Sequence, residues 1–284
     1  MGEREAKKLL KLIGETSTSL PDDVEGALKK VLAKEPRGSS ARIVLETILE
    51  NTALAKASGT PLCQDTGTLS FYIDEAVKDK VTPEDVKAAV AEATKKGLLR
   101  KNCIDPVSGR SFDDNCTEYT PIIHYKSAEW RKSLGLEGTI TLQLKGGGSE
   151  NMSRQYSLPS TILGAARDMT GVRKCVLDAI FRAQGYGCAP GIIGVCIGGD
   201  RATGYEVAKE QLLRRLDDIS PDPKLARLER WILKDANMLG IGPMGMGGKT
   251  TILGVKAAAR PRLPASFFVT VAYMCWACRR NSCG

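Results

Sequence analysis

The stretch Gly59-Thr60-Pro61-Leu62-Cys63-Gln64-Asp65-Thr66-Gly67 is the point around which the chain is organised. A helical pattern precedes it and a strand-like run, Thr68 to Ile73, follows, so it is expected to form a turn at the mouth of an element. A thiol, an amide, a carboxylate and a hydroxyl stand side by side, between glycines that let backbone approach a ligand closely. A soft thiolate beside a carboxylate suits a metal ligand next to an acid–base group. The same residues also suit a polar turn around one buried thiol, and the rest of the chain has to decide.

Upstream, residues 1–58 read as a helical scaffold. Pro21-Asp22-Asp23 opens a helix with proline early and acids at the positive end of the dipole, and Ile43, Leu45, Ile48 and Leu49 form a stripe. Downstream, Thr82-Pro83-Glu84-Asp85 predicts a helix with Thr82 as N-cap and Asp85 at N3, stopping near Gly97. Residues 101–110 read as a loop. Pro121–Tyr125 and Thr139–Leu144 read as strands, the second alternating as a half-buried strand would. Helices follow from Val172 to Gln184, Gly204 to Leu216 and Lys224 to Leu239, with strands at Ile192–Ile197 and Ala265–Met274.

Two glycine-rich runs interrupt this pattern. Lys145-Gly146-Gly147-Gly148-Ser149 can turn successive N–H groups toward an anion, with Lys145 adding charge, whereas the alternative is a flexible hairpin tip. Gly240 to Lys249 resembles a phosphate-binding loop, but Pro243 stands where its first glycine would be and a helix precedes it. It reads instead as a second anion contact offering Lys249. Gly198-Gly199-Asp200 follows a strand without dinucleotide-binding spacing.

The 41 Lys and Arg against 33 Asp and Glu are scattered, with no basic block interleaved with aromatics, so nucleic acid is not expected as a partner. The excess charge suits small anions. No run is long and apolar enough for a membrane, Met1-Gly2 opens no acylation signal because Ala6 fills the Ser/Thr position, and no secretory leader is read. A reducing cytoplasm is the expectation, where the 9 cysteines serve metals or catalysis rather than disulfides. Cys63, Cys188 and Cys275 each lie at a glycine-rich turn or strand end, far apart in sequence. Three thiolates suit an iron–sulfur cluster with one iron left open as a Lewis acid. Cys275-Trp276-Ala277-Cys278 is a lone C-x-x-C with no second pair for zinc. A non-catalytic or electron-transfer iron–sulfur protein, or an iron-free thiol protein, competes with an enzyme.

Six segments together resemble the α-subunit of the class I fumarate hydratase and L(+)-tartrate dehydratase family over nearly the whole chain. They are Cys63–Gly67, Gly97–Arg100, Lys145–Asn151, Gly194–Asp200, Gly247–Thr250 and Arg262–Phe268 running to Cys275-Trp276-Ala277. The resemblance implies a [4Fe–4S] cluster held by Cys63, Cys188 and Cys275. Gln64 and Asp65 would hold substrate and handle protons, and the Gly146–Gly148 backbone would contact a carboxylate. Leu263 stands where fumarases carry a histidine, the lone His124 reads as structural, and Cys116-Thr117-Glu118 lies where some members place an arginine. Both departures, with Arg262–Ser266, lean toward tartrate. The other six cysteines read as small buried hydrophobes.

The expectation is a mixed α/β (α+β) chain: a helical N-terminal part, then glycine-loop-linked strands and helices around an iron–sulfur site. It is read as one catalytic domain over residues 1–284, with 1–58 as scaffold and 59–284 binding cluster and substrate. The resemblance further implies reversible dehydration of a four-carbon dicarboxylate and a separate β-subunit completing the site. The α-subunits would pair in a heterotetramer, and the chain alone would be inactive.

Overall fold

The computed structural model describes residues 3–284, the side chains of Glu3 and Arg4 excepted; the reading of Met1-Gly2 lies outside the described residues. In chain order the elements are α1 (Glu3–Thr18), α2 (Asp22–Leu32), α3 (Ser40–Ser58), β1 (Thr68–Asp74), α4 (Pro83–Lys95), β2 (Ile122–Lys126), α5 (Ala128–Ser133), β3 (Ile140–Lys145), α6 (Gly147–Glu150), β4 (Arg154–Ser157), α7 (Met169–Ala183), β5 (Gly191–Gly198), α8 (Arg201–Gln211), α9 (Pro223–Asn237), β6 (Ile252–Arg260), β7 (Phe268–Met274) and β8 (Arg279–Cys283). The chain is mixed α/β, with two mixed sheets.

Local chemistry accounts for several boundaries. Thr82 caps α4 in a complete capping box with Asp85, and Gly97 takes a left-handed φ of 75° just beyond its end. Asp168 caps α7 by accepting from Gly171 N–H, which starts the helix three residues before the apolar pattern suggests. Asp222 and Pro223 open α9 in the same way. α8 ends at Gln211, short of the Leu216 expected. Beyond it Arg214 is drawn into ion pairs with Glu229 at 2.9 Å and Asp218 at 2.8 Å, which compete with further helix.

One compact unit comprises the described residues up to Pro21, Glu50–Gly147 and Ala277–Gly284. Its sheet has the order β2-β1-β3-β8, with β1 and β2 parallel and the other pairs antiparallel. One face presents Leu69, Phe71, Ile73, Ile140, Leu142 and Leu144 to Leu9, Leu12 and Ile13 of α1 and to Val86 and Val90 of α4. Each such side chain contributes about 1.5–3 kcal/mol by leaving water. The alternating pattern of β3 predicts one wet face, yet Thr141, Gln143 and Lys145 are buried too, because β3 is a central strand between β1 and β8.

The second unit comprises Asp22–Leu49 and Gly148–Trp276. Its sheet runs β4-β7-β5-β6, with β5 and β6 parallel and β7 antiparallel to both β4 and β5. Ile193, Val195, Val255, Val269 and Val271 pack against Val172, Val176 and Ile180 of α7 and Leu228 and Ile232 of α9. The helical stretch 1–58 is therefore shared out: α1 belongs to the first unit, α2 to the second, and α3 continues from one into the other.

Candidate functional site

In the first unit the quoted stretch forms the expected turn between α3 and β1. Asp65 Oδ1 accepts from the Gly67 N–H at 3.0 Å, an Asx turn. Gly67 has φ 82°, and a Cβ there would lie 2.7 Å from the Lys145 carbonyl carbon, so only glycine fits. Thr66 Oγ1 accepts from the Arg100 N–H at 3.2 Å and from Asn102 Nδ2 at 2.9 Å, tying the 100–103 segment to the turn. A Cβ on Gly146 would come within 3.0 Å of Asp65 Oδ2, so that glycine keeps space open for the carboxylate.

Asp65 also lines a cavity of about 290 Å³ with Gly67, Asn102, Cys103, Asn115 and Gly147. Ligand pockets start near about 300 Å³, so this one has room for a small molecule rather than a nucleotide. Asn115 holds its wall: it is 3% exposed, its Oδ1 accepts from the Asn102 and Cys103 N–H groups, and its Nδ2 donates to Thr94 Oγ1 and the Arg100 carbonyl. Its φ of 60° is a conformation asparagine tolerates better than most residues. Asn102 and Asn115 were not singled out from sequence; the only signal was turn chemistry in Asp113-Asp114-Asn115.

Arg279, the first residue of β8, was also missed. It is 1% exposed, and its Nη2 donates to the Asp65 carbonyl at 2.7 Å. Its Nε and Nη1 are buried without a partner.

In the second unit the structure brings Cys188 and Cys275 together. The Trp276 N–H donates to the Cys188 carbonyl at 3.2 Å, and Cys188 has a left-handed φ of 52°. Burial pushes the hydroxyl of Tyr273, two residues before Cys275, above the ordinary phenol range, and the Cys275 and Cys188 thiols push it further. The Met244 N–H donates to the Ala189 carbonyl at 2.8 Å, which docks the Gly240–Lys249 loop beside Cys188. Cys63 belongs to the first unit. Among the described residues, no three His, Cys, Asp or Glu side chains are gathered into a group that could hold a metal ion.

The remaining expected residues fall as follows. Gln64 is exposed and Lys145 is 4% exposed. Gly147 and Gly148 enter the single helical turn α6 rather than a hairpin tip. In the second glycine run the N–H groups of Met244, Gly245, Met246 and Gly247 all donate to carbonyls within the unit, and the Lys249 N–H donates to Glu35 Oε1 at 2.8 Å. The exposed Lys249 ammonium is thus what this loop offers. His124 stacks on Tyr72 at 4.8 Å, as its structural reading expects, and Leu263 is 75% exposed.

Burial pushes the Cys116, Cys175 and Cys196 thiols up to about 11, and raises Cys283 as well, so these stay protonated and poor as ligands. Cys103 departs from the small-hydrophobe reading: it is half-buried in the cavity wall, its Sγ 3.4 Å from Thr120 Oγ1.

Comparison with known proteins covers the same span. The family profile described as fumarate hydratase (Fumerase) matches residues 6–283. A Geobacillus stearothermophilus protein named fumarate hydratase class I is 46% identical over 98% of this chain and 54% of its own length. The chain thus spans about half of that relative. A Methanocaldococcus jannaschii protein named L(+)-tartrate dehydratase subunit alpha is 34% identical over 96% of this chain and 94% of its own length. The subunit of that name from Escherichia coli strain UTI89 is 30% identical over 94% and 86%. With the Cys63–Gly67 turn, the Lys145–Asn151 segment and the Cys188–Cys275 pair all inside the matched span, the chain belongs to the fumarate hydratase (Fumerase) family.

Proposed function

We propose that this chain is the α-type subunit of an iron–sulfur hydro-lyase that reversibly removes water from a four-carbon dicarboxylate. The observation that carries this reading is the placement of Asp65. One carboxylate oxygen is fixed in its own turn, the other lies against Gly146, and the residue lines a cavity of about 290 Å³. Family membership supports the same chemistry, since class I members are in general iron–sulfur dependent.

Cys63, Cys188 and Cys275 would hold the cluster. The donor set fits it: Cys188 and Cys275 meet beside Tyr273, Cys63 is partly exposed, and Arg279 leaves an unpartnered buried positive charge at the Cys63 turn. When bound, an iron–sulfur cluster with one open iron supplies Lewis acidity toward the substrate's oxygens.

The chain's own groups do the rest. Asp65 Oδ2 accepts or returns the proton, and Gln64, exposed at the turn, hydrogen-bonds a substrate oxygen. The Gly146–Gly148 backbone contacts one carboxylate, with Lys145 and Lys249 supplying positive charge. Fixing a substrate at more than one point turns binding into orientation.

Both units act as one catalytic domain, in the cytoplasm. The subunit names of two relatives support a separate β-subunit; in this reading it completes the site, and the α-subunits pair as well. The substrate pair is L-malate and fumarate or L(+)-tartrate and oxaloacetate. Arg262–Ser266 leans toward tartrate, while the relative named fumarate hydratase has the higher identity, 46% against 34%.

Anaerobic reconstitution followed by absorbance and electron paramagnetic resonance tests the cluster. An intact cluster in Cys63→Ser, Cys188→Ser and Cys275→Ser alike sinks the ligand assignment. Turnover of L-malate, fumarate and L(+)-tartrate, without and then with the cognate β-subunit, tests the rest. Full activity of the chain alone would show that the catalytic groups are misplaced.

A further inference from the structure

Arg279 is a buried cation with no ion-pair partner among the described residues. The antiparallel register sets it opposite Leu144, and directly opposed residues share a sheet face. Its guanidinium therefore enters on the side of Leu142 and Leu144, the apolar face that packs on α1 and α4. Arg280, opposite Gln143, belongs to the other face.

A guanidinium has five N–H donors in a rigid fork and stays charged at any relevant pH. Here a single donor bond is made, from Nη2 to the Asp65 carbonyl at 2.7 Å, while Nε and Nη1 have no partner at 1% exposure. Among the described residues no carboxylate is ion-paired with it. Burying a charge without compensation is costly, and a fold that merely wanted volume in this face would do better with a hydrophobe. The one group Arg279 does touch is the backbone two residues from Cys63.

We propose that Arg279 is the positioning residue of the Cys63–Gly67 turn: it anchors the Asp65 carbonyl and supplies the fixed positive charge that offsets a thiolate-held iron–sulfur cluster. This rests on the iron–sulfur reading above. A [4Fe–4S]2+ core with three thiolates carries one net negative charge. Taking up one electron from dithionite gives the [4Fe–4S]1+ core and two net negative charges. A nearby fixed cation favours the more negative state, so Arg279 raises the reduction potential. Net charge and hydrogen bonding are the levers by which proteins set cluster potentials.

The test uses the full chain, reconstituted anaerobically, with the midpoint potential followed by electron paramagnetic resonance during dithionite titration. Arg279→Met should shift the potential to more negative values, and Arg279→Lys, which keeps the charge, should stay near wild type. If Arg279→Met fails to fold, Arg279→Gln carries the same test, because it retains a donor for the carbonyl and loses only the charge. Melting of the apo chains checks the fold: with its uncompensated charge removed, apo Arg279→Met should melt at or above wild type. A folded, charge-free variant with the wild-type potential overturns the inference and leaves the cluster reading standing. A wild-type chain that takes up no cluster overturns both.

Discussion

The two glycine-rich runs look alike in sequence and differ in cause. Around Gly242 the backbone demands glycine: φ is 71°, and a Cβ would lie 1.6 Å from the Gly247 carbonyl oxygen. That loop spends the amides of Gly245, Met246 and Gly247 on its own carbonyls and that of Met244 on the Ala189 carbonyl. The run at Gly146–Gly148 has no left-handed residue, and its last two glycines enter a helical turn. There glycine keeps side chains out of the way, at Gly146 for the Asp65 carboxylate. Counting glycines cannot separate a loop built on backbone geometry from one that clears space for a reacting group.

Substitution by alanine breaks or sharpens this contrast. Gly242→Ala should be worst, costing more than about 3 kcal/mol because a backbone clash and a left-handed φ add together. A urea unfolding midpoint near wild type would show that the loop has room to move.

Gly67→Ala comes next, at roughly 2–3 kcal/mol, since its Cβ meets Lys145 backbone and φ is 82°. Cluster uptake should fall with it, because the turn carries Cys63; thermal melting and iron content check both.

Gly146→Ala should cost under about 1 kcal/mol, as the atom it meets is the end of a movable side chain. Moving Asp65 should nevertheless cost about tenfold or more in kcat, given how sharply reactivity depends on placement. Unchanged kcat at full cluster occupancy would remove Asp65 Oδ2 from the chemistry.

Gly148→Ala meets nothing within 4 Å and lies in a helical turn, so it should be neutral or stabilising by up to about 1 kcal/mol. A lower melting temperature would mean that the backbone there uses freedom alanine lacks.

What was legible in the sequence tracks how local the cause is. The capping box of α4 is set by residues within a few positions and formed where expected, and the apolar run expected as a strand over Ala265–Met274 forms β7 from Phe268 on. Strands β4, β6 and β8 were not read. β4 is four residues with no buried position, β6 contains Lys256-Ala257-Ala258-Ala259-Arg260, and β8 is Arg-Arg-Asn-Ser-Cys. None has strong strand propensity; each is a strand because a distant partner supplies its ladder hydrogen bonds.

The site divides in the same way. The residue types at Cys63–Gly67, the glycines beside Lys145 and the family to which they belong were fixed by the order of amino acids, because turn chemistry and motif spacing act along the chain. Tertiary structure decided that Cys188 meets Cys275 across the Trp276 hydrogen bond, that Asn115 walls the cavity, and that a guanidinium from the last strand is buried under the Asp65 carbonyl. Those are contacts between segments far apart in sequence. Burial and charge compensation exist only once the strands have paired, so no local pattern could announce them.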